Sequence, residues 1–144
     1  MNSTSVRAFM VGAIAFGATT MAQAQQGGPA AQILGKNEYQ SHCAICHGVS
    51  GKGDGIYADL LKSGTVVANL TELSKKNNGV FPFARISETI ENGVPGAHGT
   101  KEMPIWGIRY RIEAGQGVYD GYTETYVRTR ILALTEYIYS LQAK

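Results

Sequence analysis

Cys43 and Cys46 stand three positions apart, and His47 follows directly. These residue types at this spacing can do chemistry together. Two thiols in one tight turn can each form a thioether to one of the two vinyl groups of a single haem. The imidazole beside the second thiol is then held beneath the iron, where a ring nitrogen can ligate it. Cys43-Ala44-Ile45-Cys46-His47 is therefore read as the attachment site of one covalently bound c-type haem. Cys43 and Cys46 hold the macrocycle, and His47 is the first axial ligand of the iron.

Three other uses of the pair fit less well. A dithiol redox site wants a βαβ context, which the sequence lacks. A zinc site needs more ligands than two cysteines and three histidines at this spacing supply. A structural disulfide closed over so short a loop would be strained.

The second axial position has two candidates, Met103 and His98. Met103 lies in Met103-Pro104-Ile105-Trp106-Gly107, on a loop stiffened by the proline. A thioether sulfur is soft and neutral, and it stabilises ferrous over ferric iron. The other three methionines, Met1, Met10 and Met21, fall in the first 24 residues. Met103 is assigned as the sixth ligand, against the plainer reading of a core methionine filling a gap. His98 is read as a surface or supporting histidine. His42, at the end of the first helix, is read as partly exposed.

These groups need elements to position them. A first helix is expected from about Gln32 to the Cys43 region, with Gly35 and Tyr39 on one face. Gly48 to Gly55 is a glycine-rich loop. Its Gly-Lys pair lacks the spacing of a phosphate cradle. Asn69 caps a further helix start at Leu70. Phe83 to Asn92 reads as a helix that buries Ile86 and Ile90 and ends at Gly93. Val94 to Ile112, with two prolines and three glycines, reads as irregular. The last helix is expected from about Glu124 to Leu141, because Val127, Ile131, Leu134, Ile138 and Leu141 recur at three- and four-residue steps. No alternating strand pattern is present. The chain is expected to be all-α.

At 144 residues the chain is one domain. Arg7, the uncharged run Ala8 to Thr20 and Ala22-Gln23-Ala24 form the pattern of a cleaved export signal. The expected organisation is a signal peptide over 1–24, a flexible leader over 25–31 and one domain over 32–144. Export to the periplasm fits the attachment chemistry. The formal charge is +2, and loss of Arg7 with the signal lowers it by one. Two ionised haem propionates would turn it slightly negative. Nothing here points to nucleic acid or to a polybasic membrane contact, and no membrane insertion is expected after cleavage.

The order Gly35-x-x-x-Tyr39, Cys43 to Gly48, Met103-Pro104 and a terminal helix bearing Leu134 and Tyr137 resembles the class I c-type cytochromes. The likeness runs over nearly all of the mature sequence. It implies a cytochrome c fold of three to five helices around one covalently attached haem, with Gly35 and Tyr39 meeting Leu134 and Tyr137. It also implies His47 and Met103 as axial ligands. The function implied is periplasmic electron transport, with no catalysis at the iron. Asn69-Leu70-Thr71, His98-Gly99 and Met103 to Gly107 look like a bacterial subgroup whose partners are oxidases and periplasmic dehydrogenases; a bc1-type complex is a further candidate donor. One departure concerns His47. Many relatives offer a proline carbonyl to its Nδ1 proton soon after the motif. Here Ile56 follows Gly55, and its carbonyl is the candidate acceptor. Arg109, Tyr110 and Arg111 are candidate propionate ligands, and Trp106 a candidate neighbour of the haem edge; all four read equally as packing and surface residues.

Three rivals share the same residues. A gas-binding cytochrome of the four-helix type would carry the haem motif near the C-terminus, whereas here it lies near the start of the mature chain. A haem subunit fixed in a dehydrogenase complex keeps the chemistry and changes the setting. A haem peroxidase would need an open iron site and an acid–base residue beside it, and Met103 argues against it.

Overall fold

A computed structural model describes residues 28–61, 66–93, 104–115 and 121–143. The segment expected as an export signal, His98 and Met103 lie outside them. The elements run α1 (Pro29–His42), α2 (Ala44–His47), three short 3-10 turns (Ala58–Leu60, Leu70–Glu72, Lys75–Asn77), α3 (Phe83–Asn92), α4 (Trp106–Glu113) and α5 (Gly121–Ser140). The fold is all-α: no strand occurs among the described residues. No helix among them is long and apolar enough to cross a membrane.

α1 starts earlier than the sequence suggests. Pro29 occupies the first helical position, where its fixed φ helps and its missing N–H costs nothing. Residues 29–31, expected in the leader, therefore belong to the helix. α3 has the expected bounds. Gly93 ends it at φ 70°, with its amide on the Thr89 carbonyl, a backbone conformation that glycine adopts without strain. Asn69 caps as expected: its Oδ1 accepts the amide of Thr71 at 2.9 Å. The element it caps is a single 3-10 turn rather than a helix.

The irregular segment expected over 94–112 is corrected in its second half, where α4 runs from Trp106 to Glu113. Its inner face carries Trp106, Gly107 and Tyr110. Its outer face carries Ile108 and Ile112, both exposed. Apolar residues thus stand on both faces, which removes the periodic signal of an amphipathic helix.

The core forms where α1 lies against α5, the most extensive helix pairing of the molecule. α3 and α4 pack on each other and on α5. Tyr39, Val127, Ile131, Leu134 and Ile138 are all nearly or fully buried, each contributing about 1.5–3 kcal/mol relative to exposure. Gly35 makes the close approach possible. A Cβ there would collide with the main-chain carbonyl of Ala133 and touch Cβ of Tyr137. One turn on, the Tyr39 and Tyr137 rings pack at 5.2 Å between centroids. Gly35 and Tyr39 thus meet Tyr137 as expected, but the point of closest contact is the Ala133 backbone.

The Gly35→Ala substitution should therefore push α1 from α5 and destabilise the protein by about 1–3 kcal/mol. A lowered thermal midpoint is the expected readout. An unchanged midpoint would show that the two helices tolerate a wider gap.

Candidate haem-attachment site

Cys43 sits at the joint between α1 and α2. Its amide bonds the Tyr39 carbonyl at 2.8 Å, and its own carbonyl takes the His47 amide at 2.8 Å. Cys43 and His47 are thus one helical turn apart on one face. Cys43 and His47 are buried, and Cys46 is half-buried. Both thiols are free.

The glycine-rich loop caps this turn. The last carbonyls of a helix lack partners within it. Here Tyr57, Gly55 and Gly53 donate their amides to the carbonyls of Ile45, Cys46 and His47 at 3.0, 3.0 and 2.8 Å. Gly55 has no room for a side chain: a Cβ would strike the Ile45 and Cys46 carbonyls. Gly53, at φ +83°, lies so close to Val67 that a Cβ would press on its carbonyl. The hydroxyl of Tyr39 fastens the start of the loop by donating to the Gly48 carbonyl at 2.8 Å.

The same loop brings in the partner of His47. Leu70 donates its amide to the Gly51 carbonyl at 2.7 Å, which draws residues 67–70 alongside the turn. The Ala68 carbonyl then lies 3.0 Å from His47 Nδ1. A carbonyl only accepts, so Nδ1 carries the proton. In the neutral ring the lone pair is then on Nε2. The acceptor is Ala68 and not Ile56, because Ile56 lies at the far end of the loop, where the next residue, Tyr57, caps Ile45. Gln142 holds the 67–74 segment from the other side. Its Nε2 donates to the Leu70 carbonyl at 2.7 Å, and its Oε1 accepts the Ser74 amide at 2.9 Å.

Burial disfavours charge on Cys43 and His47. Burial lowers the His47 pKa below its ordinary value, against the opposing pull of the Ala68 bond. Burial, reinforced by the neighbouring Cys46, pushes the Cys43 thiol up to about 12. A dithiol redox centre needs a thiol shifted the other way. What the arrangement offers is a neutral imidazole and the buried, protonated Cys43 thiol beside an apolar wall, with the free Cys46 thiol on the same turn.

That wall encloses a cavity of about 110 Å³ next to Cys43 and His47. Leu70 and Leu73 line it from the 3-10 region, Ile86 and Ile90 from α3, Trp106 from α4, and Leu134 and Ile138 from α5. The enclosed volume accounts for only part of a porphyrin's bulk; the match to a haem rests on the donor set and the lining. Two thiols, an imidazole with its lone pair on Nε2 and a water-excluding wall are the groups that a covalent haem requires. Among the described residues no cluster of three or more histidine, cysteine or carboxylate side chains could hold a bare metal ion.

The remaining candidates divide. Trp106 lines the cavity and is 4% exposed. His42 is half-buried, its ring 4.8 Å from that of Trp106. Arg109 pairs with Glu113 at 3.2 Å, and Arg111 with Glu91 at 3.3 Å and Glu124 at 3.0 Å. Tyr110 donates to Glu38 at 2.8 Å. These three side chains thus meet carboxylates of the chain itself. Ala68 and Gln142 had no sequence signal as site residues: one acts through its backbone, and the other stands far along the chain. Comparison with family models, with curated proteins and with solved structures gave no match to this chain.

The Tyr39→Phe substitution removes one buried bond from the attachment loop. The Gly48 carbonyl keeps the amide of Gly51 at 3.1 Å, so the expected loss is the net worth of a single bond, about 0.5–1.5 kcal/mol. Denaturant titration should show a lower midpoint with an unchanged slope.

Proposed function

We propose that this chain is an exported electron carrier of the class I c-type cytochrome kind, bearing one covalently attached haem. One observation carries the reading. Cys43, Cys46 and His47 share a single capped turn, with the His47 ring oriented by Ala68 at the edge of an apolar cavity. The haem would supply one-electron chemistry, its iron cycling between the ferric and ferrous states.

The residues of the chain have separate tasks in this account. Cys43 and Cys46 hold the macrocycle through thioethers. His47 and Met103 would be the protein ligands of the iron. The Ala68 carbonyl fixes the imidazole tautomer and increases its basicity as a ligand. Leu70, Ile86, Ile90, Leu134 and Ile138 exclude water and keep the local dielectric low. No side chain is assigned to proton transfer with a substrate, so the protein is read as a carrier and not as an enzyme. Its partners would be a periplasmic dehydrogenase or bc1-type complex on one side and an oxidase or reductase on the other, met through small transient contacts.

A second reading has its own observation. α4 turns Ile108 and Ile112 outward, 54% and 70% exposed, and exposed apolar groups side by side suit a lasting contact. A haem subunit fixed in a dehydrogenase complex would cover them. Co-purification of a larger subunit with the exported chain would favour this setting over a free shuttle.

Absorption spectra test the ligand assignment. The oxidised wild-type protein should show the weak band at the red end of the visible spectrum that reports methionine bound to ferric haem. The Met103→Ala variant should keep its covalent pigment and lose that band. A band that survives the substitution removes Met103 from the iron.

A further inference from the structure

The two faces of α4 differ in what holds them. The inner face is anchored. Tyr110 donates to the buried Glu38 of α1, which also pairs with Arg130 of α5. Arg111 bridges Glu91 of α3 and Glu124 of α5. The outer face is therefore held in place before anything meets it, and a surface fixed in advance loses little freedom on binding.

That outer face is a groove lined by Pro104, Ile105, Ile108 and Ile112, with Arg109 and Glu113 as its charged members. Ile105, Ile108 and Ile112 recur at steps of three and four, which places them in one stripe. Ile108 and Ile112 are 54% and 70% exposed. Two tyrosines of α5 extend the patch. Burial, and after it the Glu113 carboxylate, raises the Tyr126 pKa, so Tyr126 stands near Glu113. The Tyr122 ring lies 6.5 Å from that of Tyr126 and is 71% exposed. An apolar stripe with tyrosine and arginine beside it has the composition of a protein contact.

The charges select the partner. Arg109 and Glu113 are one turn apart and pair at 3.2 Å. Their charges cancel, so the groove does not draw a strongly charged protein or an anionic lipid surface. Opposite charges along one stripe do suit a copy of that stripe. In a two-fold contact each surface meets itself, so a residue i touching j is matched by j touching i. With two α4 helices antiparallel, Ile108 of each copy packs on Ile112 of the other, and Arg109 of each reaches Glu113 of the other.

We propose that the outer face of α4 is the contact between two copies of this chain, joined through Ile108 and Ile112 and set in register by Arg109 and Glu113. Trp106, on the inner face of the same helix, lines the cavity. Pairing through the outer face puts the two cavities on opposite sides of a two-helix contact. One short helix and two tyrosines make a small interface, below about 1,200 Å² in total, so the pair is weak and depends on concentration. The proposal goes beyond the haem reading and does not rest on it.

The test is sedimentation equilibrium of the full exported protein over a series from micromolar to millimolar. The average mass should climb from one chain towards two. Ile112→Asp should hold it at one chain throughout. Arg109→Glu and Glu113→Arg should each lose the dimer as well, because like charges then face each other twice. Mixed in equal amounts, these two variants should pair, since every charge on one again meets its opposite on the other. That rescue separates a broken contact from a damaged fold, and circular dichroism of each variant should match wild type. Wild-type protein that stays at one chain at millimolar concentration overturns the proposal. A dimer that persists in Ile112→Asp or in either charge variant alone places the contact elsewhere and overturns it too, as does a mixture of the charge variants that fails to pair. A larger subunit found bound over Ile108 and Ile112, or sedimentation of the monomer with anionic vesicles, gives the face to another partner and overturns the assignment to a second copy. None of these outcomes alters the haem reading, which stands or falls on its own spectrum.

Discussion

The bond from His47 to Ala68 joins the two parts of the molecule that the site cannot do without. On one side is a short helical turn that carries both thiols and the imidazole. On the other is an extended segment with no regular structure of its own. A buried imidazole N–H left without an acceptor would cost about 1–3 kcal/mol, so the segment must stay where it is. Three further contacts keep it there: the Gly51 carbonyl on the Leu70 amide, the close approach of Gly53 to Val67, and the Gln142 side chain bonded to both Leu70 and Ser74. The last residues of the chain thereby secure a bond made near its beginning.

The wall of the cavity draws on the joint between α1 and α2, the segment around Leu70, α3, α4 and α5. No single helix could enclose it. α4 is tied to both α3 and α5. A Cβ at Gly107 would strike the Glu91 carbonyl, so α4 begins hard against the end of α3. Arg111 then bridges Glu91 and Glu124, on α3 and α5. These ties set the Trp106 ring into the cavity. In so small a domain, with limited apolar burial of its own, a large flat cofactor bound at that point would stabilise all the surrounding helices together. Attachment and folding are therefore expected to be linked in this chain.

Much of this was legible in the sequence, for identifiable reasons. The bounds of α3 could be read because Ile86 and Ile90 mark one face and Gly93 supplies the left-handed stop. Gly35 marked a close approach of another backbone, since a glycine inside a helix is costly without one, and the resemblance to the class I c-type cytochromes implied that α5 would supply it. The attachment turn was the strongest signal, and the structure brings Cys43 and His47 to one cavity. α4 was not legible, because prolines and glycines around it resemble a loop and its isoleucines face outward. The His47 acceptor was not legible either. A carbonyl leaves no trace in side-chain identity, and the register that selects Ala68 is set by main-chain bonds from Gly51 and Gly53. The buried group of Glu38, Tyr110 and Arg130 escaped for a related reason: its three members stand on three helices, and only the packing of α1, α4 and α5 unites them.

The central claim is that a haem is bonded to Cys43 and Cys46. Intact mass of the exported protein under denaturing conditions tests it most directly. The account predicts a single species with the mass of the chain from Gln25 to Lys144 plus one haem, and the colour should stay with the polypeptide through acid–acetone extraction. A bare polypeptide mass, or pigment released into the solvent, would contradict it.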